Sequence, residues 1–556
     1  MEPAMKEFNL LYEPWIRVMR PDASVEEVTL PDALIHAHEY LSLAGEMPTQ
    51  DVAMLRLLLA VMHAVFSRVD ADGNEALLED EDAALDRWSE LWQLGQMPET
   101  PVREYLARYE ERFWLFHPER PFYQANAAVI GTAYTPAKLN GELSESSNKV
   151  RLFSVRQGES KRTLTYSEAA RWLLHVNGFD DTSAKPKGKN LPSVGAGWLG
   201  KLGLIYAYGN NLFETLMLNF VLFDCEEEEP WESAIPIWEL PSQREKERVE
   251  IPLHRDQAAL LTLQSRRLLL ERENGNVTGY RLLGGDFFTR ENAFVEQMTL
   301  WRPIYQKNEP VGYQPMRHDP SIRLWREFAS LIGYADKSNE KKRKYRMPGL
   351  VGWHNRLLVR DCFDSNQDVV SYQLASIQYG DKDFFVADAF SDGVSFHLNL
   401  LGEVGASWRG RIIAEIDRCN KIAYYISILA TNLRKASGGS GKAEETDGQK
   451  AKELFFYRVD VPFRRWLLSL NADQSDSEQN CLQRAWHEEV FQLSRTIGVE
   501  LAANAGTAAY SGRYVLEAKE GSKEKEKVFY STAKVLNWFV YQITKELKGR
   551  DEHADP

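Results

Sequence analysis

The hydrophobic periodicity of this chain changes character once, near residue 403. Beyond it, residues 408–435, 450–470, 479–503 and 527–548 each carry an apolar stripe at helical spacing. One stripe is Ile412, Ile413, Ile416, Ala423 and Ile426; another is Val535, Trp538, Phe539 and Ile543. Polar connections at 436–448 (ASGGSGKAEETDG) and 471–479 separate the helices and read as mobile. Helices in such a series bury their stripes against one another, which predicts a C-terminal four-helix bundle over 403–556. Residues 1–402 show no single period and read as a mixed N-terminal α/β domain of irregular topology. The fold class is α+β.

Within the first 402 residues, 8–18 (FNLLYEPWIRV) reads as a strand pair or hairpin entering a core. Residues 51–70 are apolar nearly all round and predict a buried helix, and 84–94 predict another. The segment 113–124 (FWLFHPERPFYQ) has two prolines and is extended or turning. From 125 to 200 the pattern is irregular and ends rich in Gly, Pro, Ser and Lys; a connection this long is functional or mobile. A helix is expected over about 201–224. The stretch 230–400 looks β-rich, with a hairpin over 268–285 turning at Glu273-Asn274-Gly275-Asn276 and strands at 381–390 and 394–400. No internal repeat is visible.

The 556 residues hold 67 Lys and Arg against 81 Asp and Glu, a formal charge of −14. Such a body cannot coat a polyanion over its whole surface, although a local basic groove is compatible with it. The four cysteines, Cys225, Cys362, Cys419 and Cys481, form no CxxC pair, which argues against a zinc site or disulfide framework. The N-terminal residues carry no basic-then-apolar leader, and the apolar stretch 199–223 contains Lys201, Asn210, Asn211 and Glu214. The expectation is a cytoplasmic chain without a membrane partner.

Catalytic patterns are sparse. GxSxG, HExxH and a P-loop are absent. His318-Asp319 precedes Pro320 and reads as a turn; Gly195-Ala196-Gly197 lacks a third glycine and reads as flexible chain. His36 and His38 point to different faces of a helix, and His117 has no nucleophile paired with it in sequence. Asp180 and Asp181 are adjacent carboxylates: one reading is a metal or acid/base pair, the other a turn whose side chains bond nearby amides. No cofactor and no enzymatic activity are expected.

Two basic segments stand out. One holds Lys185, Lys187, Lys189 and Lys201 among Gly and Pro; the other holds Lys337, Lys341, Lys342, Arg343, Lys344 and Arg346. Such segments can follow a phosphate backbone with ammonium groups and free amides. Solvated loops on a protein-only scaffold explain the same residues.

Taken together, FNLLYEPWIRV, HPERPFYQ, LFSVRQG (152–158), VNGFDDTSAKPKG and the order of a mixed region before a helical bundle resemble the CasA family. CasA proteins are the large subunit of the type I-E CRISPR Cascade complex. The resemblance implies a non-catalytic subunit that works with guide RNA, other Cascade subunits, double-stranded target DNA and a recruited helicase–nuclease. It implies reading of a protospacer-adjacent motif through the minor groove, followed by strand separation. Carried over by residue, the guide-end hook falls on Phe153, Ser154, Val155 and Arg156. The motif-reading loop falls on Gly178, Phe179, Asp180, Asp181 and Thr182. This loop departs from glycine-richer relatives: Asp181 is expected to accept from a guanine amino group and Asp180 to fix the loop. The basic motif-reading residue falls on Arg290. The strand-separating wedge falls on Gly380, Asp381, Lys382 and Asp383, with Gln378 before the tip. Phosphate contacts are expected from Lys185, Lys187, Lys189, Lys201, Lys341, Lys342, Arg343 and Lys344.

Overall fold

Nineteen residues, Pro48–Phe66, form the helix around which the first part of the molecule is built. Proline stands at its N-terminal end, where a missing N–H costs nothing, and nearly every side chain it carries is buried. The computed structural model describes residues 6–145, 154–183, 185–186, 189–241, 249–307, 309–334, 345–363, 369–439, 441–518 and 525–549. The chain divides into two compact units, Met1–Val394 and Ser395–Pro556.

The first unit is mixed. Its largest sheet has the order Glu309–Pro315, Thr299–Gln306, Gly203–Tyr208, Val369–Tyr379, Val386–His397, so strands distant in sequence lie side by side. A second sheet is the expected hairpin, Arg266–Glu273 with Asn276–Gly284, joined by Asn274-Gly275 and extended by Thr132–Tyr134. Both turn residues have positive φ, as a two-residue hairpin turn requires. The helix Tyr166–Phe179 packs between Pro48–Phe66 and the hairpin.

Several expectations need correction. Residues 201–224 are not one helix: Gly203–Tyr208 is a central strand, and Asn211 then caps the short helix Leu212–Leu218, its side chain accepting from the Glu214 N–H at 2.8 Å. Residues 8–18 do not pair with each other; Glu7–Asn9 pairs with Trp114–Phe116, and Ile16–Met19 with Val25–Val28. Residues 381–383 form a tight turn with Lys382 and Asp383 in the left-handed region, and the strand begins at Val386.

The second unit contains four long helices, Ala406–Ser437, Lys442–Leu468, Asp476–Asn504 and Thr532–Leu547, packed on one another. Trp466 stacks on Trp486 and Phe463 meets both edge-on. Most of the 436–448 connection is helix, since Lys442–Leu468 starts within it. Residues 527–530 belong to a hairpin, Arg513–Ala518 with Lys525–Tyr530. Glu415 is fully buried in this unit, accepting from Gln483 Nε2 at 3.0 Å and Trp486 Nε1 at 3.2 Å and facing His487 Nε2 at 2.8 Å.

Four histidines, three of them buried and His318 partly so, set a pH limit on the first unit. Burial pulls His63 and His175 down to about 3, and His318 and His354 down to about 4. They stay neutral in the fold, whereas in the unfolded chain they take up protons below about 6.5. Between about 6.5 and 4 the unfolded state therefore binds more protons, and stability falls as pH falls, by roughly 1.4 kcal/mol per pH unit for each histidine. Asp51, raised to about 7 by burial, opposes one of the four over part of this range. Thermal unfolding of the full chain is expected at a clearly lower Tm at pH 5 than at pH 7.5; equal values at the two pH values would show that these imidazoles charge within the fold.

Candidate nucleic-acid interface

The helix Tyr166–Phe179 starts at a capping box, with Thr165 and Glu168 each bonding the other's backbone N–H. Its last turn carries Gly178 and Phe179, so these two residues of the expected loop are helical. Phe179 is buried. A Cβ on Gly197 would lie 2.2 Å from the Gly178 carbonyl oxygen. The Gly195-Ala196-Gly197 segment is thus a close-packed crossing over the helix end and not flexible chain.

The chain leaves the helix through two carboxylates placed in the interior. Asp180 accepts from Arg266 Nε at 2.6 Å and from Lys185 Nζ at 2.9 Å. Asp181 accepts from Lys138 Nζ at 2.6 Å and from the Ser183 N–H at 2.7 Å. Arg266 also donates to the carbonyls of Asp180 and Asp181 at 3.2 Å and of Gly195 at 2.7 Å. Burial pushes the Asp180 carboxyl up, but Lys185, Arg266 and Lys138 outweigh it and hold the group well below the usual range. Burial pulls the Lys185 ammonium down to about 8, against the attraction of Asp180. Three cations surround two carboxylates, so the surplus positive charge and the lack of water act together on Lys185.

These contacts correct three expectations. Asp181 is 1% exposed and salt-bridged, so it is closed to a guanine edge. Lys185 has its side chain buried and spent on Asp180 and on the carbonyls of Asp181 and Ser183 at 2.8 Å, so it is no phosphate contact in this arrangement. Both carboxylates are engaged by cations, which removes the metal or acid/base reading of the pair.

Beyond Asp181 the chain reaches the surface and meets the tip expected as the wedge. The Thr182 N–H donates to the Asp383 carbonyl at 2.8 Å, and the Thr182 hydroxyl to the Lys382 carbonyl at 3.0 Å. Tyr379 Oη donates to the Phe179 carbonyl at 2.6 Å. The tip is closed by the Gly380 N–H donating to the Phe385 carbonyl at 2.9 Å. A Cβ on Gly380 would lie 2.0 Å from the Phe385 ring, so any side chain here would displace that ring. Thr182, Ser183, Ser193, Lys382 and Phe384 border a cleft of about 570 Å³. Asp381 and Lys382 are exposed, and so is nearly half of Phe384. Two segments read separately in the sequence thus form one edge.

A family model described as CRISPR-associated protein Cse1 matches residues 9–497. The chain belongs to the Cse1 family. It is 35% identical over 246 residues to the CRISPR-associated protein CasA/Cse1 of Thermus thermophilus, an alignment that covers 43% of this chain and only 44% of that relative. Thermobifida fusca Cse1 superposes with a TM-score of 0.80 at 28% identity, covering 98% of this chain and 99% of that one. A chain of a solved CRISPR RNA-guided surveillance complex shares the fold, with a TM-score of 0.63 at 17% identity over 96% of this chain and 99% of that one.

The remaining expected Cse1 positions are dispersed. Val155 is exposed; Arg156 pairs with Glu168 in the capping box. Arg290 and Lys189 are exposed, and Lys201 is half-buried. Phe153, Lys187, Lys341, Lys342, Arg343 and Lys344 lie outside the described residues. Arg346 is no phosphate contact: it pairs with Glu226 at 2.9 Å and lies 3.3 Å from the Phe294 ring centroid. His117 accepts from the N–H groups of Glu119 and Arg120 at 3.0 and 2.9 Å, fixing a turn. Sequence reasoning missed Lys138, Arg266 and Arg317. One signal was available: Arg266-Arg267 opens an apolar strand, and adjacent cations entering a core require carboxylates, which here are Asp180 for Arg266 and Asp286 for Arg267.

Arg266→Ala is expected to destabilise the first unit by about 3–5 kcal/mol, because it removes one of the two cations on a buried carboxylate and leaves the carbonyls of Asp180, Asp181 and Gly195 without their donor. Asp180→Asn should cost less, since the amide still accepts from Arg266. Chemical denaturation measures both, and equal, small losses would mean that the cluster is already open to water.

Proposed function

We propose that this chain is the non-catalytic large subunit of an RNA-guided CRISPR surveillance complex of the type I-E Cascade kind. It reads a protospacer-adjacent motif in duplex DNA through the minor groove, begins strand separation and recruits the helicase–nuclease. Family membership and the shared fold with a surveillance-complex chain support assembly with guide RNA and partner subunits. The observation that carries the DNA-reading part is the hydrogen-bonded edge of Thr182 with Lys382 and Asp383. A narrow groove is read by small protrusions, and an opened base step is held by a turn that occupies its space.

On this reading the expected roles are redistributed. Asp180 and Asp181 are internal supports, while Thr182, Ser183 and Lys382 face the cleft and take over the contacts with base edges and phosphates. The Thr182 hydroxyl, whose proton goes to the Lys382 carbonyl, can accept from a guanine amino group, and the Ser183 hydroxyl can accept from it or donate to N3 and O2 acceptors. Arg290 is the candidate for additional motif contact, and Lys189 and Lys201 for the backbone. The domain over 1–402 then holds hook, reader and wedge, and the bundle over 403–556 supplies surface for neighbouring subunits.

Co-purification with the neighbouring gene products should bring a short RNA with the chain. The assembled complex should bind a motif-bearing duplex with a steep loss on added salt. Lys382→Ala combined with Asp381→Ala should slow opening more than initial binding, followed by a fluorescent base next to the motif; unchanged opening removes the wedge assignment. Arg290→Ala should lower motif-dependent binding with guide association intact, and equal loss on motif-free DNA would make Arg290 a phosphate contact only.

A further inference from the structure

Arg317 follows the strand Glu309–Pro315 and reaches a carboxylate on a different segment of the unit. Its Nη1 donates to Asp383 Oδ1 at 2.8 Å and its Nη2 to Oδ2 at 2.9 Å, a parallel fork with both side chains about one-third exposed or less. The guanidinium also lies 5.4 Å from the Tyr379 ring centroid. Tyr379 is the residue bonded to Phe179, and Asp383 the residue whose carbonyl receives the Thr182 N–H. One arginine therefore grips both strands of contact between the reading loop and the tip.

The tip needs such a grip. Lys382 and Asp383 have φ of 54° and 58°, consecutive left-handed residues neither of which is glycine. Each such residue costs of order 1–3 kcal/mol unless its surroundings impose it. Resting on the reading above, we propose that Arg317 is a positioning residue: by clamping Asp383 it holds the tip in its left-handed turn against Thr182. Loop and tip then meet the duplex as one preset edge.

Two separate loops would each lose backbone freedom on meeting DNA, at about 1–2 kcal/mol per ordered residue. A preset edge has lost that freedom on folding, so recognition of the motif and insertion of the tip are coupled. The fork also neutralises a carboxylate that would otherwise face phosphate. Clamping and neutralisation are separable, because Arg317→Lys keeps the neutralising charge but cannot form the fork, whereas Asp383→Asn removes charge and fork together.

The test uses the assembled complex with guide RNA and two targets, one fully paired and one mismatched at the first base pairs after the motif so that it is already open. Arg317→Gln is expected to slow opening of the paired target about tenfold and to leave binding of the pre-opened target within about twofold. Arg317→Lys and Asp383→Asn should each reproduce most of that loss. The double variant Arg317→Gln/Asp383→Asn should be no worse than either single change, as for two residues acting through one contact. Wild-type opening rates in Arg317→Gln would overturn the proposal. Equal loss on both targets would do so as well, by making Arg317 a direct phosphate contact. Recovery of the wild-type rate in the double variant would overturn it by reducing the pair to charge neutralisation. If Arg317→Gln fails to assemble, Arg317→Lys and Asp383→Asn carry the same comparison. A wild-type complex that ignores the motif would instead sink the DNA-reading function itself.

Discussion

The position of the edge that Thr182 forms with Lys382 and Asp383 depends on one buried electrostatic cluster. Asp180 sits between Arg266 and Lys185, and Asp181 sits on Lys138, with water excluded from all five side chains. Well-packed apolar residues could fill this volume at similar or lower free energy. They could not do what Arg266 does with its remaining donors, which is to hold the carbonyls of Asp180, Asp181 and Gly195. The cluster specifies a backbone path. Directly after Asp181 that path reaches the surface at Thr182, already directed at the tip, so the precision of an exposed contact is set in the interior.

The same helix links this edge to the expected guide-end hook. Arg156, at the base of the hook, pairs with Glu168, whose carboxylate also accepts from the Thr165 N–H at 2.9 Å. The other end of that helix delivers Asp180. A helix of 14 residues spans about 21 Å, and this one is anchored near its middle by Arg171 with Glu46 and Glu27. On the proposed function, hook and reading loop sit at the two ends of one helix, so a displacement at one would act on the other through it.

What was legible in the sequence follows from whether a local pattern had a local cause. The hairpin turning at Asn274-Gly275 was legible because its turn chemistry is local. So were the four long helices of the second unit, whose stripes bury against one another. The 201–224 segment was misread because an all-apolar stretch has no period: GLIYAY is a central strand buried on both faces, and only the polar break at Gly209-Asn210-Asn211 marked its end. Lys185 was misread for the opposite reason. A lysine among Gly, Pro and Ser looks solvated, and its burial follows from Asp180, which is itself held in the interior by Arg266 from a distant part of the chain. The loop and tip lie about 200 residues apart, and no local signal joins Thr182 to Lys382 and Asp383.

The charge distribution explains why so acidic a chain can present such an edge. Around the reading loop and tip, Asp180, Asp181, Asp381 and Asp383 are met by Lys138, Lys185, Arg266, Arg317 and Lys382, a local surplus of one positive charge. The chain as a whole carries −14. Exposed carboxylates elsewhere repel a duplex over distances of about a Debye length, roughly 8–10 Å in physiological salt. On the proposed function, a phosphate backbone meets no net opposing charge at this edge, because internal cations cancel its carboxylates. The duplex would then be oriented by repulsion over the acidic body as well as by attraction at the edge, and the buried lysines and arginines would matter to binding although they touch no phosphate.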